Sequence, residues 1–247
     1  MLIPLFINNL LPILLSAGAG FILSRRVELD PQPINRAVFY IFSPCLVFTL
    51  LYTSNLDLGD SATIGGLVFA GAAANLLLAW TVARVMKLDR KTSAALALTV
   101  LIPNAGNYGL SLNKFAFGEE ALAAASIFFA SISILLYTVG ILIASMGQST
   151  FGESVRKLFT FPTIYAVVLA FALKSFHWTL PIPFDRAITL LGEASIPCML
   201  IVLGIQLGRQ SKLVDRAPVL AAGLGLRLIA SPLIAIALAM VFHLEDG

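Results

Sequence analysis

The chain has 247 residues, of which 59% are hydrophobic and 12% charged, with a mean hydropathy of +0.94, whereas soluble domains carry about 25% charged residues. This composition excludes a soluble globular protein and predicts an all-α integral membrane protein. The net charge of +3 comes from basic residues in short connections between apolar runs, so it reads as an orientation signal and forms no nucleic-acid-binding patch.

Apolar runs of roughly 20 residues, each long enough to cross a hydrocarbon core of about 30 Å as a helix, predict about eight transmembrane helices. In chain order they are Leu2 to Leu23, Ile34 to Thr53, Ala62 to Met86, Ser93 to Leu112, Ala121 to Met146, Phe161 to Phe176, Phe184 to Leu207 and Ala217 to Phe242. The first run has no positive residue before it and Arg25 and Arg26 after it. That is the reverse of a secretory signal peptide, so the run is expected to be a true first helix. The connections are short and carry turn residues, as in "DPQP" from Asp30, "NLDLGDS" from Asn55 and "PIPFD" from Pro181.

Arg25, Arg26 and Arg36 fall in the first connection, Arg84, Lys87, Arg90 and Lys91 in the third, Arg156 and Lys157 in the fifth, and Arg209, Lys212 and Arg216 in the seventh. The even connections hold Lys114, Lys174 and Arg186, so the positive-inside rule puts the odd connections in the cytoplasm and the N-terminus outside. The expected location is a plasma or bacterial inner membrane, with the lipid bilayer as the surrounding partner.

The fourth run contains "LIPNAGNYGLSL", Leu101 to Leu112. Pro103 removes a backbone donor and clashes with the preceding turn, and Gly106 and Gly109 permit backbone angles that other residues resist. Unwinding is expected around Pro103 to Asn107. Unpaired backbone groups cannot face lipid, so such a break belongs against protein or a wet cavity. Asn104 and Asn107 can bond the freed groups or a ligand, Asn107 can cap a second half-helix, and a half-helix N-terminus favours an anion such as a carboxylate. The competing reading is a proline kink whose asparagines bond their own backbone. Clustering of two Asn, two Gly and Tyr108 around the proline favours a binding site.

Helix two, "NRAVFYIFSPCLV", and helix seven, "DRAITLLGEASIPCMLIV", share Arg-Ala and Pro-Cys. Because they enter the membrane from opposite sides, the match suggests an inverted repeat with a five-helix unit, a frequent plan for secondary transporters that bind substrate near the midplane.

The break, together with "LPILLSAGAGFILSRR", "FSPCLV" and "EASIPCMLIVLGIQLG", resembles the auxin efflux carrier family, which includes bacterial carriers and plant PIN-type transporters. The resemblance implies a ten-helix, five-plus-five inverted repeat in which the fourth and ninth helices are both broken and cross at the substrate. It implies scaffold-like helices within 1–57 and 158–212, which commonly dimerise, transport-like helices within 58–147 and 213–247, and small organic anions such as carboxylates as substrates. Pro103, Asn104, Gly106, Asn107 and Tyr108 would line the first crossover. Ser111 stands where many relatives have a proline. Against that pattern the sequence reads as an incomplete repeat of five plus three helices, and three explanations stand: a truncated product, a compact relative, or a second chain that supplies the rest.

Glu193 and Arg227 are the charged residues expected well inside the membrane, where an unpaired charge costs several kcal/mol. A pair between them is one reading, with Glu193 as a proton-coupling carboxylate and Arg227 as an anion partner. A purely structural role is the other. Asn75 and Asn113 are expected to make interhelical hydrogen bonds rather than line a cavity. Cys45 and Cys198 lie within apolar spans beside Pro44 and Pro197, where packing is the expected role. His177 and Trp178 fall at an expected outer interface.

The leading reading is therefore a secondary membrane carrier of small organic anions working by alternating access. The alternative is a membrane subunit without transport activity of its own. An enzyme is not expected, because the sequence has neither H-E-x-x-H nor G-x-S-x-G, and no cofactor or metal is called for.

Overall fold

A computed structural model describes residues 2–144, 159–209 and 217–241. The described residues are almost wholly helical: α1 (Leu2–Arg26), α2 (Gln32–Thr53), α3 (Leu58–Val85), α4 (Arg90–Leu101), α5 (105–117), α6 (Glu119–Ala144), α7 (Pro162–Ser175), α8 (Ile182–Arg209) and α9 (Ala217–Val241). Six of them, α1, α2, α3, α6, α8 and α9, are long and apolar enough to cross a membrane, and α7 is a shorter apolar helix. The fourth predicted span is the pair α4 and α5. The predicted ends at Met146 and Phe242, and the charges Arg156, Lys157, Lys212 and Arg216, lie outside the described residues.

Local chemistry accounts for the helix boundaries. Asp57 and Asp60 form a reciprocal capping box at the start of α3. The Asp60 N–H donates to Asp57 Oδ1 at 2.8 Å and the Asp57 N–H to Asp60 Oδ2 at 3.2 Å. Asp89 caps α4, its Oδ1 accepting from the N–H groups of Lys91 and Thr92 at 3.0 and 3.1 Å. At their C-terminal ends α3 and α7 close in the same way, through a left-handed residue at φ 50°, Lys87 and His177 respectively. Leu88 N–H reaches back to the Ala83 carbonyl and Trp178 N–H to that of Leu173, at 3.0 and 2.9 Å, a Schellman closure without glycine. Gly118, at φ 86°, separates α5 from α6.

Pro44 and Pro232 lie within α2 and α9 without breaking them. Before Pro44 and Pro232 the backbone widens into a π turn, over Val38–Phe42 and Leu226–Ala230. In each, the serine preceding the proline donates its N–H to the carbonyl five residues back, Ser43 to Val38 and Ser231 to Leu226. The extra residue absorbs the mismatch a proline introduces into the hydrogen-bond ladder.

The chain divides into two compact units. The first comprises Met1–Ser61, Asn104–Ala130 and Phe161–Lys212. Its core joins Ile13 of α1, Val38, Leu46 and Leu50 of α2, Leu110 of α5, Leu122 of α6 and Met199 and Leu200 of α8. Within it α1 lies directly on the backbone of α8. A methyl group on Gly20 would overlap the Ile201 carbonyl, and one on Gly204 the Ala17 carbonyl, so small residues here permit close helix approach. The two helices matched in sequence meet where Ser43 and Ser195 lie buried with their hydroxyls 3.4 Å apart.

The second unit comprises Ala62–Pro103, Ser131–Thr160 and Leu213–Gly247. One cluster packs Val68 and Ala72 of α3 on Leu101 of α4 and Ile132 and Leu135 of α6. Another packs Ala79 and Ala83 of α3 on Leu96 and Val100 of α4 and Leu226 of α9.

Candidate functional site

The break in the fourth span is present and shorter than the sequence suggests. α4 makes its last helical bond from the Ile102 N–H to the Leu98 carbonyl at 3.0 Å. Ile102 is extended, at φ −106° and ψ 99°, the conformation a following proline enforces. Pro103 supplies no N–H, and Asn104 adopts φ −76° and ψ 62° before the helix resumes. The unwound stretch is therefore Ile102 to Asn104, rather than Pro103 to Asn107. From Ala105 to Leu110 the backbone is a π turn, opened by the Gly109 N–H donating to the Asn104 carbonyl at 3.0 Å.

The residue at the head of α5 is thus Asn104, not Asn107, and its side chain makes no capping bond. Asn107 lies in the first turn, where its carbonyl accepts from the Ser111 hydroxyl at 3.3 Å. A helix start leaves its first N–H groups without intrahelical acceptors, so the head of α5 offers backbone donors beside the exposed side chains of Asn104 and Tyr108. Gly106 is needed for packing as well as flexibility. A methyl group there would meet the Phe129 ring edge at 3.0 Å and the Met199 terminus at 3.8 Å. Asn113 donates to the Gly109 carbonyl at 2.9 Å within its own helix, so the interhelical bond expected of it is replaced by a local one.

The division between the two units falls at the Pro103–Asn104 bond. Asn104, Gly106, Asn107 and Tyr108 belong to the first unit, and Pro103 belongs to the second with the last turn of α4. Glu193 is in the first unit, exposed and at the end of the first segment of α8, just before a turn at Ala194. Arg227 is in the second unit, within the π turn of α9, where its Nη1 donates to the Val100 carbonyl at 2.7 Å.

Asn75 makes the interhelical bond expected of it. Its Nδ2 donates to the Gly71 carbonyl at 2.8 Å, and its Oδ1 accepts from the Ser231 hydroxyl at 2.7 Å, joining α3 to α9. The acceptor for Arg227 was not foreseen. The sequence signals only the need for a donor, since a proline that stops a helix leaves unpaired carbonyls behind it, and not which residue supplies it.

The described residues thus define a multi-pass α-helical membrane protein with one span interrupted by a proline-asparagine break. A family model described as membrane transport protein matches residues 5–153 and 146–246. The chain belongs to that family of membrane transporters, the auxin efflux carriers. An uncharacterized transporter of Methanothermobacter thermautotrophicus is 27% identical over 219 residues, which cover 87% of this chain and 70% of that protein.

Proposed function

We propose that this transporter carries small organic anions, carboxylates in particular, by alternating access, with the substrate's anionic group at the head of α5. The observation that carries the reading is the break itself. It leaves a helix start with Asn104 just before it and making no capping bond, Asn107 in its first turn and an exposed Tyr108 beside it. Backbone donors and the positive end of the helix dipole favour a carboxylate there, and two amide side chains add donors without adding fixed charge. Glu193 is the candidate coupling carboxylate. Pairing of two copies through helices within 1–57 and 158–212 belongs to the same proposal.

Uptake of radiolabelled malate, succinate and indole-3-acetate into proteoliposomes tests it. Loss of an amide that contacts a charged group costs about 1.5–3 kcal/mol, so Asn104→Ala and Asn107→Ala are each expected to lower uptake at least about tenfold. Glu193→Gln is expected to flatten its pH dependence. Absence of uptake of all three acids by folded wild-type protein would instead favour a subunit that requires a partner.

A further inference from the structure

The end of α4 poses a problem of unpaired acceptors. In an unbroken helix the carbonyls of Thr99, Val100 and Leu101 would accept from the N–H groups of residues 103, 104 and 105. Pro103 has no N–H, and the chain turns away at Asn104 before α5 begins. Three carbonyls at the negative end of a half-helix are thereby left without intrahelical donors, inside a membrane span where such groups cost several kcal/mol each. Arg227 answers one of them directly, with Nη1 2.7 Å from the Val100 oxygen.

Arg227 is aimed there by its own helix. The π turn of α9 over Leu226–Ala230 places Leu226 in the cluster with Ala79, Ala83, Leu96 and Val100, so the neighbouring arginine emerges beside the last turn of α4. One turn further on, the Ser231 hydroxyl bonds Asn75 of α3 at 2.7 Å, which ties the same stretch of α9 to a second helix. The guanidinium is well suited to the task. It presents five donors, remains charged, and sits at a helix C-terminus where positive charge is favoured.

We infer that Arg227 is a positioning residue that caps the broken end of α4 from α9, holding the half-helix closed at Ile102 and so fixing where the crossover begins. This role places the charge on a backbone carbonyl and does not depend on the identity of the substrate. It also explains an arginine within an otherwise apolar helix without requiring an acidic partner.

Hydrogen–deuterium exchange with peptide mass analysis on the purified full chain in nanodiscs tests the inference without any transport assay. Arg227→Met is expected to speed exchange in the last turn of α4, residues 98–102, on the order of tenfold, the cost of losing a charged hydrogen bond. The Asp89-capped start of α4 should stay at the wild-type rate. Adding Pro103→Ala gives residue 103 an N–H that can reach the Thr99 carbonyl, so the double variant is expected to regain most of the lost protection. Wild-type exchange at 98–102 in Arg227→Met would overturn the inference, as would an equal rise across the whole of α3, α4 and α9. If Arg227→Met alone does not fold, recovery of folding in the double variant supports the role, and failure of both variants overturns it.

Discussion

Gly204 illustrates how much a single residue carries in this chain. Its missing side chain lets α8 rest on the Ala17 carbonyl of α1, and one turn later a methyl group on Gly208 would meet the Ser24 side-chain hydroxyl. Alanine at 204 would place a methyl group on backbone that cannot move without separating the two helices, and overpacking of this kind costs about 1–3 kcal/mol. Gly18 has nothing within 4 Å of where a methyl group would lie. In detergent-solubilised protein, Gly204→Ala is expected to lower the melting temperature by roughly 3–10 °C, while Gly18→Ala leaves it unchanged or slightly raised. Equal melting temperatures for the two variants would contradict the close crossing. Small residues in "SAGAG" favour close helix packing, but composition cannot say which glycine is at the contact. Of its two glycines, Gly20 meets α8 and Gly18 does not.

Helices were legible where the physics is local. Apolar runs gave the spans to within a few residues, and Asp57 and Asp89 mark helix starts through side-chain caps that sequence spacing already contains. Prolines were harder to read, because the same residue has two outcomes. Pro103 ends α4, whereas Pro44 and Pro232 are accommodated by π turns. The difference rests on what surrounds each proline. Pro103 is followed by asparagine and glycine, which tolerate a departure from helix, while Pro44 and Pro232 each follow a serine whose N–H shifts to the fifth carbonyl back. The break was legible as a cluster at 103–108, and the pairing that caps the end of α4 was not, because a bond between Arg227 and Val100 spans 127 positions with no pattern linking the two. Asn75 and Ser231 pose the same difficulty and allow a direct measurement. Their bond joins α3 directly to α9, and interhelical bonds of this kind average about 0.6 kcal/mol in membranes, with a maximum near 1.7. A double-mutant cycle of Asn75→Val and Ser231→Ala, read by denaturation in mixed micelles, is expected to give a coupling energy within that range. A coupling of zero would mean that packing alone holds the two helices.

At the scale of the whole molecule, the distribution of charge sets the orientation, and the structure explains its exceptions. Among the positive residues of the even connections, Lys174 is occupied with the end of α2. Its Nζ donates to the carbonyls of Ser54 and Leu56, at 2.7 and 2.5 Å, groups a helix end leaves unpaired. Lys114 is paired with Glu119 at 3.3 Å. Tyr52 strengthens the same corner, its hydroxyl donating to the Trp178 carbonyl at 3.0 Å and accepting from the Leu180 N–H at 3.3 Å. The odd connections present their charges differently. Arg84 lies over the Trp80 ring at 4.5 Å and Arg25 over Phe21 at 5.2 Å, arrangements in which the aliphatic stem covers apolar surface while the cation reaches the headgroup region. The N-terminus is therefore expected outside, with the connection 27–31 in the cytoplasm and the connection 54–57 outside. In a background with Cys45 and Cys198 replaced by alanine, Asn55→Cys should react with a membrane-impermeant maleimide in intact cells, and Glu28→Cys should react only after permeabilisation. The reverse pattern would overturn the orientation, and with it the assignment of the Asp89-capped start of α4 to the cytoplasmic face.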